Sequence, residues 1–144
     1  KEMSDFDHVT NDAVIETYGP ARSVFTVLLR EVRELSKKKP EATLSASKVK
    51  LVNAVLNDLL TFLSSEPEGR YLDALKDDDL PQVSDALLMM VQFDAALDAF
   101  KARYYKRISS ELYAEKFWIT EELVAELQEE ESSDDAEYVE DDHD

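Results

Sequence analysis

Two pairs of carboxylates stand at helical spacing in this chain: Glu31 and Glu34 in REVRELS, and Asp94 and Asp98 in FDAALD. Residues three or four apart lie on neighbouring turns of one helix. If both pairs faced inward they could hold a divalent cation, the arrangement that a metal-dependent, nucleotide pyrophosphohydrolase-like helical enzyme would need. The surrounding residues oppose that reading. Leu28, Val32 and Leu35 mark the apolar face of the first helix, and Glu31 and Glu34 fall off it beside Arg30 and Arg33. Exposed ion pairs, each of small energetic value, are the simpler expectation. Asp77, Asp78 and Asp79 form a third cluster, but without the spaced ligands and central glycine of a calcium loop. Acids just before Pro81 and Ser84 suit the positive end of a following helix.

Other chemistry has less support. The two histidines, His8 and His143, sit near opposite ends of the chain, and there is no cysteine to serve as nucleophile, metal ligand or disulfide partner. HExxH, P-loop, GxGxxG and GxSxG patterns are all missing. We assign no catalytic residue, no metal ligand and no cofactor from the sequence.

Charge is distributed in blocks. The formal net charge is −17 over 144 residues. A basic segment carries Arg22, Arg30, Arg33, Lys37, Lys38, Lys39, Lys48 and Lys50; an acidic block further on holds Asp77, Asp78, Asp79, Asp85, Asp94 and Asp98. The closing run EEESSDDAEYVEDDHD has ten carboxylates and no Lys or Arg. With only Tyr138 and Val139 to bury, it is expected to be a disordered polyanion, and Ser132 with Asp135 three residues on has the form of an acid-directed kinase site. The basic segment suits nucleic acid in isolation. The overall negative charge would repel a phosphate backbone, and an acidic protein partner fits equally well.

The elements that position these groups follow from helical periodicity and from Pro20, Pro40, Pro67 and Pro81 as punctuation. Thr10 or Asn11 can cap a short stretch over 12–18. Gly19 and Pro20 then open a longer helix to about Lys38, with Val24, Phe25, Leu28, Val32 and Leu35 inward. Ser45 or Ser47 caps a second helix through Val49, Val52, Leu56, Leu59 and Leu63. A brief helix from Arg70 to Lys76 would turn Tyr71, Leu72 and Leu75 inward. Ser84 would cap a long helix from Asp85 to Ile108 built on Leu87, Met90, Phe93, Leu97, Phe100 and Tyr104. Leu112, Tyr113 and Phe117 continue in helical spacing, and Thr120 caps a last segment with Leu123, Val124 and Leu127. The expected fold is all-α: a single domain over 1–127, a mostly antiparallel bundle of about five helices, followed by the acidic tail over 128–144.

Apolar residues make up 44% of the chain, enough for a globular core, and no stretch is long and apolar enough for a membrane span. The opening KEMSDFDHVT has no basic stretch leading into an apolar run. A soluble, cytoplasmic protein is the expectation. Adjacent large residues Phe117, Trp118 and Ile119, with Tyr105 and Tyr113 nearby, cannot all enter one helix interface, so they are expected either to pack on two sides within the bundle or to leave apolar surface for another chain. The sequence therefore points to a non-catalytic interaction or assembly module, an adaptor, chaperone-like protein or regulatory subunit that binds a protein partner or itself. Acidic mimicry of nucleic acid, inhibiting a DNA-binding protein, is the alternative, and the metal-dependent hydrolase the third reading.

Overall fold

The computed structural model describes residues 8–108 and 115–131. It is mostly helical. The first three helices are α1 (Asp12–Lys38), α2 (Ala46–Leu63) and α3 (Val83–Tyr104). A 3-10 turn covers Pro67–Tyr71, the short strands β1 (Tyr105–Arg107) and β2 (Lys116–Trp118) form an antiparallel pair, and a further helical run, α4, covers 121–131. The chain divides into two compact units: Glu16–Ala102, and Lys1–Ile15 together with Arg103–Asp144.

Within the unit of residues 16–102, the helices meet through aromatic rings. Tyr18 of α1 stacks on Phe100 of α3 at a centroid distance of 5.5 Å, and Phe62 of α2 reaches the same ring at 4.9 Å. Phe25 meets Phe93 further along. These pairings make α1 antiparallel to both α2 and α3, and leave α2 and α3 parallel. Short connections had suggested mostly antiparallel neighbours; the connection over 64–82 is instead long enough to return the chain to the end where α1 stopped. There the α1–α2 loop is stitched to the start of α3: Leu44 N–H donates to the Pro81 carbonyl, Val83 N–H to Ala42 and Ser84 N–H to Pro40. Ser84 thus lies inside the first turn of α3 and does not cap it.

Gly19 and Pro20 do not interrupt α1. Tyr18, Ala21, Phe25, Leu29 and Val32 are its buried residues, an i, i+3, i+7 succession that runs straight through the proline. Proline disfavours helical backbone in the preceding residue partly by a clash with its Cβ, which Gly19 lacks. The carbonyl of Glu16, deprived of its donor by Pro20, belongs to an exposed residue that water can reach. The inward face is rotated from the expected one: Val24 is 46% exposed, and Leu28 and Leu35 are only half-buried.

The expected Arg70–Lys76 helix does not form: Arg70 and Tyr71 close the 3-10 turn, and 72–76 carry no regular structure, for a visible reason. The Asn53 side chain donates to the Leu75 carbonyl and accepts from the Leu75 N–H, both at 2.8 Å. This reciprocal pair occupies the backbone groups that a helix would use. Leu75 is buried as expected, whereas Tyr71 is 64% exposed.

The unit of residues 1–15 with 103–144 contains the sheet. α3 ends at Tyr104, and Tyr105, Lys106 and Arg107 pair with Trp118, Phe117 and Lys116. The fold is therefore not all-α. Side chains on a strand alternate between faces, a spacing that suits consecutive bulky residues better than a helix does. The directly opposed rings of Tyr105 and Trp118 lie 5.0 Å apart. Thr10 extends the pairing: its N–H donates to the Ile119 carbonyl, and its own carbonyl accepts from Glu121 N–H. Asn11 caps α1 through Val14 N–H, Ser45 caps α2 through Lys48 N–H, and Thr120 caps α4 through Leu123 N–H. The α4 run includes 128–131 and so passes the expected boundary between domain and tail at 127.

Candidate functional site

Three of the four paired carboxylates, Asp94, Asp98 and Glu34, are engaged in ordinary ion pairs. Arg22 Nη1 donates to Asp94 Oδ1 at 2.8 Å, and its Nη2 to Asp98 Oδ1 at 3.1 Å. One guanidinium from α1 thus ties both acids of α3, which accounts for their four-residue spacing without a metal. Glu34 accepts from Lys37 Nζ at 3.1 Å within α1, and Glu31 is exposed. Among the described residues no group of three or more His, Cys, Asp or Glu is arranged to hold a metal ion.

Arg22 also hydrogen-bonds the Tyr18 hydroxyl. Burial nonetheless holds the Tyr18 pKa above its usual value, with Asp98 adding to the rise and Arg22 opposing it. The folded state then binds the phenolic proton more tightly than the unfolded chain. This contribution to stability is complete below the unfolded pKa of about 10. It is lost as pH rises through the higher folded value. Urea unfolding followed across this alkaline range is expected to show a shallower loss of stability in Tyr18→Phe than in the parent protein. Equal slopes would show that Tyr18 does not contribute.

The eight basic residues do not share one face. Arg22 is committed to Asp94 and Asp98, and Lys37 to Glu34. Lys50 of α2 lines an open pocket with Asn53 and Asn57 of the same helix and Asp77 of the connection before α3. At 100° per residue, Arg30, Arg33 and Lys37 fall on the side of α1 away from Leu28 and Leu35. Lys48 borders an apolar groove, Lys39 borders a second hollow beyond it, and Lys38 is exposed at the end of α1. The acidic block is similarly divided. Asp77, Asp78 and Asp79 are exposed in the connection before α3, Asp85 stands in its first turn, and Asp94 and Asp98 face Arg22.

The groove is not among the sites expected from the sequence. It lies between α1 and α2, about 240 Å³ in volume, lined by Leu28, Val32, Leu35, Leu44, Leu51 and Val52 with Glu31 and Lys48 at its edges. A second hollow of about 200 Å³ continues it past Leu35, Leu44 and Lys48 to Lys39 and Val83. Leu51 is 55% exposed, and Val24 and Val27 extend uncovered apolar surface along α1. The signal for it in the sequence was an excess: α1 and α2 carry more apolar positions than one buried face accommodates.

The aromatic surface predicted around Tyr105, Tyr113, Phe117, Trp118 and Ile119 is resolved in part. Phe117 is exposed, Tyr105 and Trp118 are half-buried, and Ile119 is fully buried, so its side chain is not available to a partner. Tyr113 lies outside the described residues, as do the tail residues Ser132, Tyr138 and Val139. Phe117 and Trp118 line a notch with Ile15, Leu123, Asp12, Glu122 and Glu126. Two of its three acids are explained locally. Asp12 and Glu122 sit in the first turns of α1 and α4, and Glu122 Oε1 accepts from Asp12 N–H at 3.1 Å.

These features define a class: an acidic, mostly helical protein with an open apolar groove between two helices. No helix among the described residues is long and apolar enough to cross a membrane. Comparison with protein-family models, with curated proteins and with solved structures finds no match to this chain.

Proposed function

We propose that this protein is a non-catalytic interaction module, an adaptor or regulatory subunit of the cytoplasm, whose α1–α2 groove receives an amphipathic helix from a protein partner. The observation that carries this reading is the groove itself. Leu28, Leu35 and Leu51 remain accessible above a floor of Val32, Leu44 and Val52. Covering such surface is favourable by roughly 25 cal/mol per Å² of apolar area, and a groove between two helices matches the helix-in-groove mode of recognition. From Val24 to Lys39 the strip follows α1 for about 22 Å at 1.5 Å per residue, a span suited to about four turns of a bound helix.

The test is selection of helical peptides from a displayed library on the parent protein, with Leu51→Asp as the counter-target. Because Leu51 is exposed, this change is expected to alter stability by no more than about 0.5 kcal/mol. Selected peptides are expected to carry an apolar i, i+3, i+7 stripe and to lose affinity on the order of tenfold or more against Leu51→Asp. Enrichment that does not distinguish the two proteins would remove the groove from the function.

A further inference from the structure

The outer side of α3 is short of charge. At 100° per residue, the direction opposite the buried Phe93 carries Leu88, Val91, Ala95, Ala99 and Ala102, with Asp98 as its one charged residue, in a chain of which 34% is charged. Leu88 is 62% exposed, Ala95, Asp98 and Ala102 are exposed, and Val91 and Ala99 are half-buried. One exposed leucine is ordinary on a protein surface. The order of sizes is not: bulk stands at Leu88 and Val91, and from Ala95 onward every apolar position on this side of α3 is alanine. The polar groups are equally unlike at the two ends. Asp98 accepts from Arg22 through one carboxylate oxygen while its side chain stays 73% exposed. Gln92 donates from Nε2 to the Leu88 carbonyl at 3.3 Å and has a second amide hydrogen to give.

We infer that this face of α3 binds the same face of a second copy of the chain, antiparallel, about a two-fold axis at Ala95. A two-fold contact needs a patch that complements itself, and this strip does so when it is reversed. Leu88 then meets Ala102 of the second copy, Val91 meets its Ala99, and the two Ala95 methyl groups face each other across the axis. Large residues set against small ones fill the space between two helices, and alanine at the centre lets the backbones approach closely. Asp98 comes opposite Gln92, an amide donor. A parallel pair would instead set leucine on leucine, alanine on alanine and Asp98 against Asp98. The strip runs about 21 Å from Leu88 to Ala102, a small area for a stable dimer, so the association is weak and depends on concentration. Two chains of net charge −17 also repel each other, so the pairing gains from salt. It uses no residue of the α1–α2 groove and goes beyond the docking reading above.

The chain has no cysteine, so single introduced thiols report the register. A disulfide needs Cα atoms within about 7 Å of each other. On mild oxidation of the full chain, Ala95→Cys is expected to form a covalent dimer. Leu88→Cys and Ala102→Cys should each do so poorly alone, and readily when the two are mixed. Sedimentation equilibrium then measures the association without a cross-link. Ala95→Glu sets two carboxylates across the axis and Ala95→Lys two ammonium groups, so each is expected to weaken self-association by about tenfold or more, while their mixture recovers it. Raised salt should strengthen association of the parent. The exchanged residues are all exposed, and circular dichroism checks that the helices persist. A parent protein that stays monomeric up to about 1 mM would overturn the inference. So would self-association unchanged in Ala95→Glu, which would place the contact on another surface, or Leu88→Cys linking to itself as readily as Ala95→Cys.

Discussion

Phe100→Ala is expected to lower the free energy of unfolding by about 3–5 kcal/mol. Phe100 is 1% exposed and from its place on α3 meets both Tyr18 of α1 and Phe62 of α2, which also pair with each other at 6.2 Å. Its removal would leave a cavity at the meeting point of all three helices. It would also cancel two aromatic pairings, each worth about 0.5–1.5 kcal/mol beyond the area that they cover. Domains of this size are stable by only about 5–15 kcal/mol, so the variant should unfold at a much lower urea concentration. Tyr71→Ala, at a ring that is mostly exposed, should stay within about 0.5 kcal/mol. Similar midpoints for the two variants would show that the aromatic junction is not what holds α1, α2 and α3 together.

The second large effect is expected at Gly69. A methyl group there would run into the carbonyl oxygen of Leu63 and would stand 2.8 Å from that of Ser64. Both obstacles are backbone at the end of α2 and cannot rotate aside. Gly69 has a negative φ, as do all the described glycines, so its role is to permit a close approach. Gly69→Ala is expected to cost about 1–3 kcal/mol, typical of an overfilled site. The 3-10 turn must shift, and with it the segment that places Leu75 against Asn53. Hydrogen exchange should quicken at Leu75 N–H before the rest of the unit is affected. Unchanged protection at Leu75 together with unchanged stability would place the turn outside the cooperative structure.

Much of the core was legible in the sequence because helical burial is periodic. Val49, Val52, Leu56, Leu59 and Leu63 on α2, and Met90, Phe93, Leu97 and Phe100 on α3, are buried where their spacing placed them. The caps at Asn11, Ser45 and Thr120 were among those anticipated, since each depends on a side chain and a backbone donor three residues away. The errors share another origin. Asn53 holds Leu75 from 22 residues away, and Trp118 finds Tyr105 across the residues between the strands. Neither partnership leaves a mark on local pattern.

The candidate site was less legible than the fold. Leu28 and Leu35 were placed in the core because they share the apolar side of α1; in the structure the burial is centred on Phe25 and Leu29, and the displaced leucines become the wall of a groove. Asp94 and Asp98 had the spacing of a ligand pair, and only the approach of α1 shows that a single arginine occupies them.

By itself the sequence determined the mostly helical character, the residue types of the core, the start signals of the helices and the lack of known catalytic motifs. These depend on composition and on neighbours within about four residues. Tertiary structure alone decided that α1 passes through Pro20, that α2 and α3 run parallel, that a strand replaces a helix at Lys116–Trp118, and which apolar side chains stay uncovered between α1 and α2. Each of these turns on contacts between residues far apart in the chain, where the energy of a pairing depends on geometry that no local spacing encodes.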